Sequence, residues 1–143
     1  MPRLLVEVED EGILANVVDE QGYAHLLTGH SLQDSHLNVR FRIVREKPFY
    51  GPGAHQLLQL TDETGSLREA CRRMGLSYGK GRAIIALMEQ QLGYPVIESQ
   101  QGGAAGGHSA VSEKGRDLMR NYAAFCAEAK QYLDGLFQRH FPG

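Results

Sequence analysis

The stretch that decides the fold is residues 66–82, SLREACRRMGLSYGKGR. Its first half has apolar residues at i, i+3, i+4 and i+7, the stripe of an amphipathic helix: Leu67, Ala70, Cys71 and Met74. Ser66 and Glu69 form a capping-box sequence, in which the Ser66 hydroxyl accepts the Glu69 amide and the Glu69 carboxylate accepts the Ser66 amide. Gly75 stands where a helix commonly ends. The pattern predicts a short helix between Ser66 and Gly75.

A second helix follows almost at once. Ser77 can cap it, Gly93 can end it, and its inward positions step at helical spacing through Gly81, Ile84, Ile85, Met88 and Leu92. Only Gly75 and Leu76 separate the first helix from this cap. The sequence therefore predicts two short helices that meet at a glycine-containing tight turn.

Elements on both sides complete the pattern. Upstream, the breaker Gly51-Pro52-Gly53 precedes a helical stripe that ends at Gly65, namely Ala54, Leu57, Leu58 and Thr61. Downstream, residues 94–98 and 108–111 have strand character on either side of the loop QQGGAAGG, and Ser112 can cap a last helix that runs through Arg139. Helix, helix, tight turn, helix and hairpin is the order of a winged helix-turn-helix.

The N-terminal region has a different character. Residues 37–44 alternate apolar and polar side chains with a basic outer face, which predicts a half-buried strand ended by Lys47-Pro48. Residues 4–8 are a second candidate strand, and residues 13–18 fit helix and strand equally well. We predict a mainly α protein with small β structure, divided into an N-terminal β-containing extension at 1–50, a winged helix-turn-helix at 51–112 and a long C-terminal helix at 113–141.

Charge is concentrated on the predicted helix-turn-helix. Residues 66–82 hold five basic residues and one acid, a charge of +4, in a 143-residue chain of net charge −2. Such focusing suits contacts with DNA phosphates, and the exposed start of the second helix would present Ser77, Tyr78, Lys80 and Arg82 to base edges. A solvated basic helix face on a helical domain is the alternative explanation.

The last helix carries an apolar stripe with steps of four and three residues: Leu118, Tyr122, Phe125, Ala129, Tyr132 and Leu136. This is the heptad spacing of helices that pack along each other. A second row of Cys126, Leu133 and Phe137 widens the face beyond what one small domain can bury. We therefore predict a homodimer that pairs through this stripe and reads a pseudo-palindromic site, although the stripe could also cover the core of its own domain.

Several short motifs resemble the N-terminal DNA-binding domain of ModE-type, molybdate-responsive transcriptional regulators, a LysR-like winged helix. They lie between residues 37 and 141 and include Gly51-Pro52-Gly53, residues 63–66 (ETGS), residues 74–78 (MGLSY), Leu92-Gly93, residues 102–107 (GGAAGG) and residues 112–115 (SEKG). The resemblance implies a dimeric bacterial transcription regulator in the cytoplasm. On the basis of this resemblance, Ser77, Tyr78 and Lys80 match the reading end of the recognition helix, and residues 102–107 match the wing. Together with the charge placement, this gives the predicted DNA-binding residues Ser66, Arg68, Arg72, Arg73, Ser77, Tyr78, Lys80 and Arg82, with Gly102, Gly103, Gly106 and Gly107 in the wing.

Two departures from that family qualify the prediction. The segment Gly79-Lys80-Gly81-Arg82 replaces the family's usual residues after Ser-Tyr, so no base preference carries over. Each glycine also costs the helix about 1 kcal/mol relative to alanine. The sequence stops at Gly143, without the C-terminal molybdate-binding modules, and molybdate sensing is therefore not expected.

Other functions find less support. No nucleophile elbow, HExxH or paired-acid motif occurs, so an enzyme is not expected, and neither is a cofactor or a metal. The glycine-rich loop is followed by a strand and by no Lys-Ser/Thr, unlike a nucleotide-binding loop. His25, His30 and His36 match no standard zinc spacing, and Cys71 and Cys126 fit small buried residues. The sequence contains no apolar run of 18 residues, so a membrane span is not expected.

Two alternatives remain open. One is a protein-interaction module, in which the acidic N-terminal segment and the long helix bind a partner without DNA. The other makes residues 1–36 a ligand-sensing element that regulates DNA binding.

Overall fold

The computed structural model describes residues 3–10, 35–100 and 108–142. The described helices are α1 (Pro52–Thr64), α2 (Leu67–Met74), α3 (Tyr78–Leu92) and α4 (Glu113–His140). The described strands are β1 (Arg3–Asp10), β2 (Leu37–Val44), β3 (Pro48–Tyr50), β4 (Ile97–Gln100) and β5 (His108–Val111). The fold is mainly helical with small sheets and a long C-terminal helix, which confirms the predicted fold class.

The chain forms two compact units. The first comprises Met1–Leu5 with Phe41–Ala124, and the second comprises Val6–Arg40 with Phe125–Gly143. The division predicted with boundaries after residues 50 and 112 stays a prediction. Within the first unit, β3 is buried against the helices, and Tyr122 of α4 lies edge-on to Tyr50 at 4.9 Å between ring centroids.

The core of the first unit uses the stripes that the sequence predicts. Leu57, Leu58 and Met88 have no exposed surface. Other buried members lie on α2, on α3, on strands β3 and β5, and at position 96 just before β4: Leu67, Ala70, Cys71, Ile85, Phe49, Tyr50, Val111 and Val96. Each fully buried large aliphatic side chain contributes about 1.5–3 kcal/mol. Burial of these stripes therefore holds α1, α2 and α3 in one bundle.

Local caps set the helix limits. The Ser66 hydroxyl accepts the Glu69 amide at 3.1 Å, and the Ser77 hydroxyl accepts the Lys80 amide at 3.1 Å. At the turn between α2 and α3, Gly75 is left-handed with φ of 70°, and the Leu76 amide donates to the Cys71 carbonyl at 2.9 Å. The predicted starts and ends of both helices are confirmed.

The strands differ from the prediction in two places. Lys47-Pro48 does not close the β structure, because β2 ends at Val44 and Pro48 begins β3, which pairs antiparallel with β2 and places Ile43 opposite Tyr50. The strands β1, β2 and β3 form a sheet in that order. The strand predicted over residues 94–98 begins at Ile97, since the proline at 95 lacks an amide donor and the Val96 amide is bonded to Glu89.

The hairpin that follows α3 is regular. Strands β4 and β5 pair antiparallel, with Ile97 opposite Val111 and Ser99 opposite Ser109. The Ser112 hydroxyl donates to the Pro95 carbonyl at 2.7 Å and accepts the Gly115 amide at 3.0 Å, so it caps α4 and ties it to the approach to β4. None of the described helices combines the length and hydropathy of a membrane span.

Candidate nucleic-acid interface

The exposed start of α3 presents cationic side chains beside α2. Arg68, Lys80 and Arg82 are all exposed, and within the described residues none of them has a carboxylate in ion-pair range. The Ser77 cap fixes the first turn of α3, from which Lys80 and Arg82 project. This surface can therefore receive a polyanion without first breaking an internal salt bridge.

Tyr78 organises two of these cations. The Arg68 guanidinium lies over the Tyr78 ring at 4.1 Å from the centroid, and the Arg82 guanidinium lies 5.8 Å from the same centroid. Cation–π contacts of this kind orient a guanidinium without using its hydrogen-bond donors. Tyr78 thus joins the exposed faces of α2 and α3 and leaves both arginines able to donate to an anion.

The other two arginines of the predicted site have a partner. Arg72 forms a two-point contact with the Glu69 carboxylate, Nε to Oε2 at 2.8 Å and Nη2 to Oε1 at 2.6 Å, and Arg73 Nε reaches Oε1 at 3.3 Å. The pair of arginines, led by the Arg72 hydrogen bond, lowers the pKa of Glu69 to about 2. Glu69 therefore stays ionised at every physiological pH.

This arrangement corrects half of the predicted capping box. The Ser66 hydroxyl accepts the Glu69 amide as expected, but the Glu69 carboxylate is occupied by arginines. The Ser66 amide donates instead to Thr64 Oγ1 at 3.2 Å. Because Thr64 satisfies that amide, the Glu69 side chain is released to the solvent face of α2.

A polar groove of about 390 Å³ runs between α3 and the hairpin. Its polar lining comes from Tyr78, Arg82, Glu89, Ser99 and Ser109. The groove brings the start of α3 together with side chains from both strands. Hydroxyl donors and a guanidinium in one open groove are groups that contact phosphate oxygens in protein–DNA complexes.

Glu89 fixes the position of the hairpin relative to α3, a role that the sequence did not reveal. Its Oε2 accepts the Val96 amide at 2.7 Å and the Ile97 amide at 3.3 Å. The Ser109 amide donates to the Gly65 carbonyl at 2.9 Å, which anchors the second strand to the turn before α2. An acid near the end of an amphipathic helix carries no local pattern that distinguishes this contact from a solvated side chain.

The glycines predicted to contact DNA from the wing, Gly102, Gly103, Gly106 and Gly107, lie outside the described residues. Of the two glycines in α3, Gly79 has open space where a Cβ would stand, whereas a Cβ at Gly81 would overlap Cys71 Sγ. Gly81 is therefore a packing requirement between α2 and α3 and not merely a source of helix flexibility.

The predicted dimer stripe on α4 divides by exposure. In the second unit, Phe125 and Tyr132 are 43% and 69% exposed, and Ala129 and Leu136 are half-buried. In the first unit Leu118 is half-buried, but Tyr122 is buried and its hydroxyl donates to the Phe41 carbonyl at 2.7 Å.

Two members of the predicted apolar face therefore require correction. Tyr122 packs against Tyr50 and His55 in its own unit, and Phe137 of the second row is 8% exposed, with its ring centroid 5.1 Å from that of Phe141. Both side chains contribute to packing within the single chain. The open part of the stripe begins at Phe125.

The cysteines and histidines that the sequence offered as redox or metal candidates show no such site among the described residues. Cys71 is buried in the α2 stripe, where burial raises the pKa of its thiol, and Cys126 is half-buried. His25 and His30 lie outside the described residues, and His36 is exposed. Within residues 3–10, 35–100 and 108–142, His, Cys, Asp and Glu form no group of three that could hold a metal ion.

Comparison with known proteins shows a distant similarity to a molybdenum-pterin-binding protein. No protein-family model matches the chain. The chain is 34% identical over 77 residues to the molybdenum-pterin-binding protein MopB of Rhodobacter capsulatus, a match that covers 54% of this chain. The same match spans 28% of the length of that relative. The chain is therefore distantly similar to part of a molybdenum-pterin-binding protein.

Proposed function

We propose that this protein is a sequence-specific DNA-binding regulator of transcription, of the ModE-like winged-helix type. The observation that carries the proposal is the cationic start of α3, where Lys80 and Arg82 are exposed without carboxylate partners among the described residues and Tyr78 holds Arg68 alongside. In the proposed complex, α3 enters the major groove and the hairpin contacts a neighbouring part of the duplex.

The exposed residues divide into two roles. Lys80 and Arg82 lie where the reading helix meets base edges, and either can donate to guanine O6 and N7. Arg68 lies on the neighbouring helix α2 and is suited to a backbone phosphate, as is Ser66. In this arrangement Arg72 and Arg73 lie near the same backbone, but they donate to Glu69. The groove between α3 and the hairpin is lined by Arg82 and by Ser99 and Ser109 of the two strands. In the proposed complex this groove accommodates the backbone of one DNA strand.

We further propose that the regulator is a homodimer. Phe125 and Tyr132 leave large aromatic surfaces exposed on α4, and a second copy of the helix can cover them at heptad spacing. A two-fold dimer presents two copies of α3 about one turn of DNA apart or a multiple of that distance, so its operator is a pseudo-palindrome.

The first test is binding to a pool of genomic duplex fragments at about 50 and about 200 mM salt, followed by sequencing of the bound fragments. We expect enrichment of a pseudo-palindrome and a steep loss of affinity as salt rises. A folded dimer without duplex affinity at the lower salt would instead favour the protein-interaction module, in which the long helix binds a protein partner.

The residue assignment is tested by the double variant Lys80→Ala with Arg82→Ala. Removal of a base-reading side chain costs about 1–3 kcal/mol of discrimination, and the salt slope falls by about 0.9 for each of the two cations that also neutralises a phosphate. The charge-matched control is Lys47→Ala with Arg139→Ala, two exposed residues outside α2 and α3. Equal binding by the two double variants would remove α3 from the interface.

A molybdate-related role is a second candidate, supported by the similarity to MopB. Its test is thermal denaturation of the purified protein with molybdate, with sulfate as the matched oxyanion. A rise in the melting temperature with molybdate alone would support this role. No difference between the two oxyanions would leave DNA binding without a molybdate response.

A further inference from the structure

One carboxylate on the proposed DNA-binding surface holds two arginines. Glu69 accepts from Arg72 through both Nε and Nη2, at 2.8 and 2.6 Å, and from Arg73 through Nε at 3.3 Å. The three side chains are solvent-accessible, with exposed fractions of 34% for Glu69, 72% for Arg72 and 50% for Arg73. Because Arg72 follows Arg68 by four residues on α2, this ion-pair cluster lies on the face of α2 that carries Arg68, which is part of the proposed DNA-binding surface.

The Glu69 carboxylate has no other structural task among the described residues. Its expected capping bond to the Ser66 amide is absent because Thr64 Oγ1 accepts that amide. The helix start is instead held by the Ser66 hydroxyl and the Glu69 backbone amide, a bond that does not involve the carboxylate. Replacing the carboxylate alone therefore leaves the cap of α2 intact.

Carboxylate and phosphate compete for the same donor geometry. A guanidinium offers parallel N–H groups that match two oxygens of either anion, and Arg72 presents this fork to Glu69. An arginine that donates both groups to an internal carboxylate has fewer donors for DNA. By contrast, Arg68 is held by the face of the Tyr78 ring and retains its donors.

We propose that Glu69 is an internal competitor for DNA phosphate, which holds back Arg72 and Arg73 and thereby sets the affinity and salt dependence of the interface. This inference rests on the proposed DNA-binding function and goes beyond it by assigning regulation of affinity to one acid. The wild-type interface then binds chiefly through Arg68, Lys80 and Arg82. Since Glu69 remains charged throughout the physiological range, the competition does not relax with ordinary changes of pH.

The test uses Glu69→Gln, which keeps the size and removes the charge. Its matched control is Glu63→Gln, an exposed acid of the same unit with no arginine in ion-pair range among the described residues. Binding of the wild type and of each variant to a fluorescent duplex of about 30 random base pairs is measured by anisotropy between about 50 and 200 mM salt. A duplex of random sequence is sufficient because the contribution of phosphate contacts to the binding affinity does not depend on base sequence.

We expect Glu69→Gln to bind about tenfold more tightly at the lower salt, with a salt slope steeper by about 0.9 for each additional phosphate that the freed arginines neutralise. Glu63→Gln should retain the wild-type slope. Arg72→Ala with Arg73→Ala should alter the slope little in the wild type but should cancel the tighter binding in the Glu69→Gln background. This non-additivity reports competition, which a purely structural role of Glu69 would not produce.

Each contrary outcome has a distinct meaning. Wild-type affinity in Glu69→Gln, in a variant of unchanged circular dichroism, overturns the competition and leaves the proposed function standing. Tighter binding that persists after both arginines are removed also overturns it, because the effect then comes from net charge alone. Absence of duplex binding by wild type and Glu69→Gln alike overturns both the competition and the proposed function.

Discussion

Cys71 Sγ occupies the space into which a side chain at Gly81 would project. The pair marks a close approach of α2 to α3, and Cys71 and Gly81 are both buried. Gly81→Ala should therefore cost about 1–3 kcal/mol of unfolding free energy through overpacking. Urea denaturation measures this cost.

Gly79→Ala is the control for the Gly81 prediction, because a Cβ at position 79 meets nothing within 4 Å. Removal of glycine's excess unfolded-state entropy should make it neutral or stabilising by about 0.5 kcal/mol. Equal stability of the two alanine variants would contradict the close approach of α2 and α3.

The contact between Arg68 and Tyr78 predicts different effects for two substitutions at position 78. Tyr78→Phe keeps the ring over which Arg68 lies at 4.1 Å, so it should retain duplex affinity. Tyr78→Ala removes a cation–π contact worth about 0.5–1 kcal/mol at an exposed site and should weaken binding several-fold. Anisotropy titrations measure both variants, and equal weakening by Phe and Ala would assign the effect to the hydroxyl.

The hydrogen bonds that Glu89 accepts are expected to stabilise the hairpin locally. Glu89→Ala leaves the amides of Val96 and Ile97 without their acceptor, and we expect faster hydrogen exchange at these amides and a loss of about 1–3 kcal/mol. Glu89→Gln keeps one carbonyl acceptor and should retain most of the protection. Unchanged exchange at Val96 in the alanine variant would rule out Glu89 as the anchor of the hairpin.

His55 predicts a pH dependence of stability. Its Nδ1 lies 2.6 Å from the Tyr50 hydroxyl, and burial lowers its pKa below the usual 6.5. Below about pH 6.5, this histidine binds a proton more readily in the unfolded chain than in the folded protein. The free energy of unfolding therefore declines as the pH falls through about 6.5. Unfolding free energies at about pH 7.5 and about pH 5.5 should differ less in His55→Gln than in the wild type. An identical difference in both proteins would remove His55 as the cause.

Ser112 predicts the stability of the junction between the hairpin and α4. Its buried hydroxyl donates to the Pro95 carbonyl and accepts the Gly115 amide, so Ser112→Ala should cost about 1–2 kcal/mol. Ser77→Ala removes an exposed cap with one bond and should cost less. Thermal denaturation of both variants measures the two losses of stability. A larger loss in Ser77→Ala than in Ser112→Ala would contradict this prediction.

Sequence predicted most successfully where the physical cause is local. The starts of α2 and α3 follow from Ser66 and Ser77, each of which bonds an amide three residues ahead. The ends follow from Gly75 and Gly93, which adopt the left-handed conformation at φ of 70° and 81°. The inward stripes also follow from the spacing of apolar residues along each helix. The hairpin after α3 follows from two short segments of strand character on either side of a glycine-rich loop.

Sequence predicted least where two acceptable partners compete. The Glu69 carboxylate satisfies the rule for a capping box and the rule for an i, i+3 ion pair, and the folded chain selects the arginines. Thr64 decides the outcome, because its hydroxyl accepts the Ser66 amide in place of the carboxylate. No pattern in residues 66–69 alone contains that information.

By itself, the amino-acid sequence determined the helix-turn-helix order, the caps and the concentration of positive charge at residues 66–82, because these depend on neighbours within about one helical turn. Only the tertiary structure decided that Tyr122 bonds Phe41, 81 residues away, that Glu89 holds the hairpin, and that Gly81 must lack a side chain. These contacts join elements that are separate in the chain. Their partners are chosen by the packing of the whole unit, which no local spacing encodes.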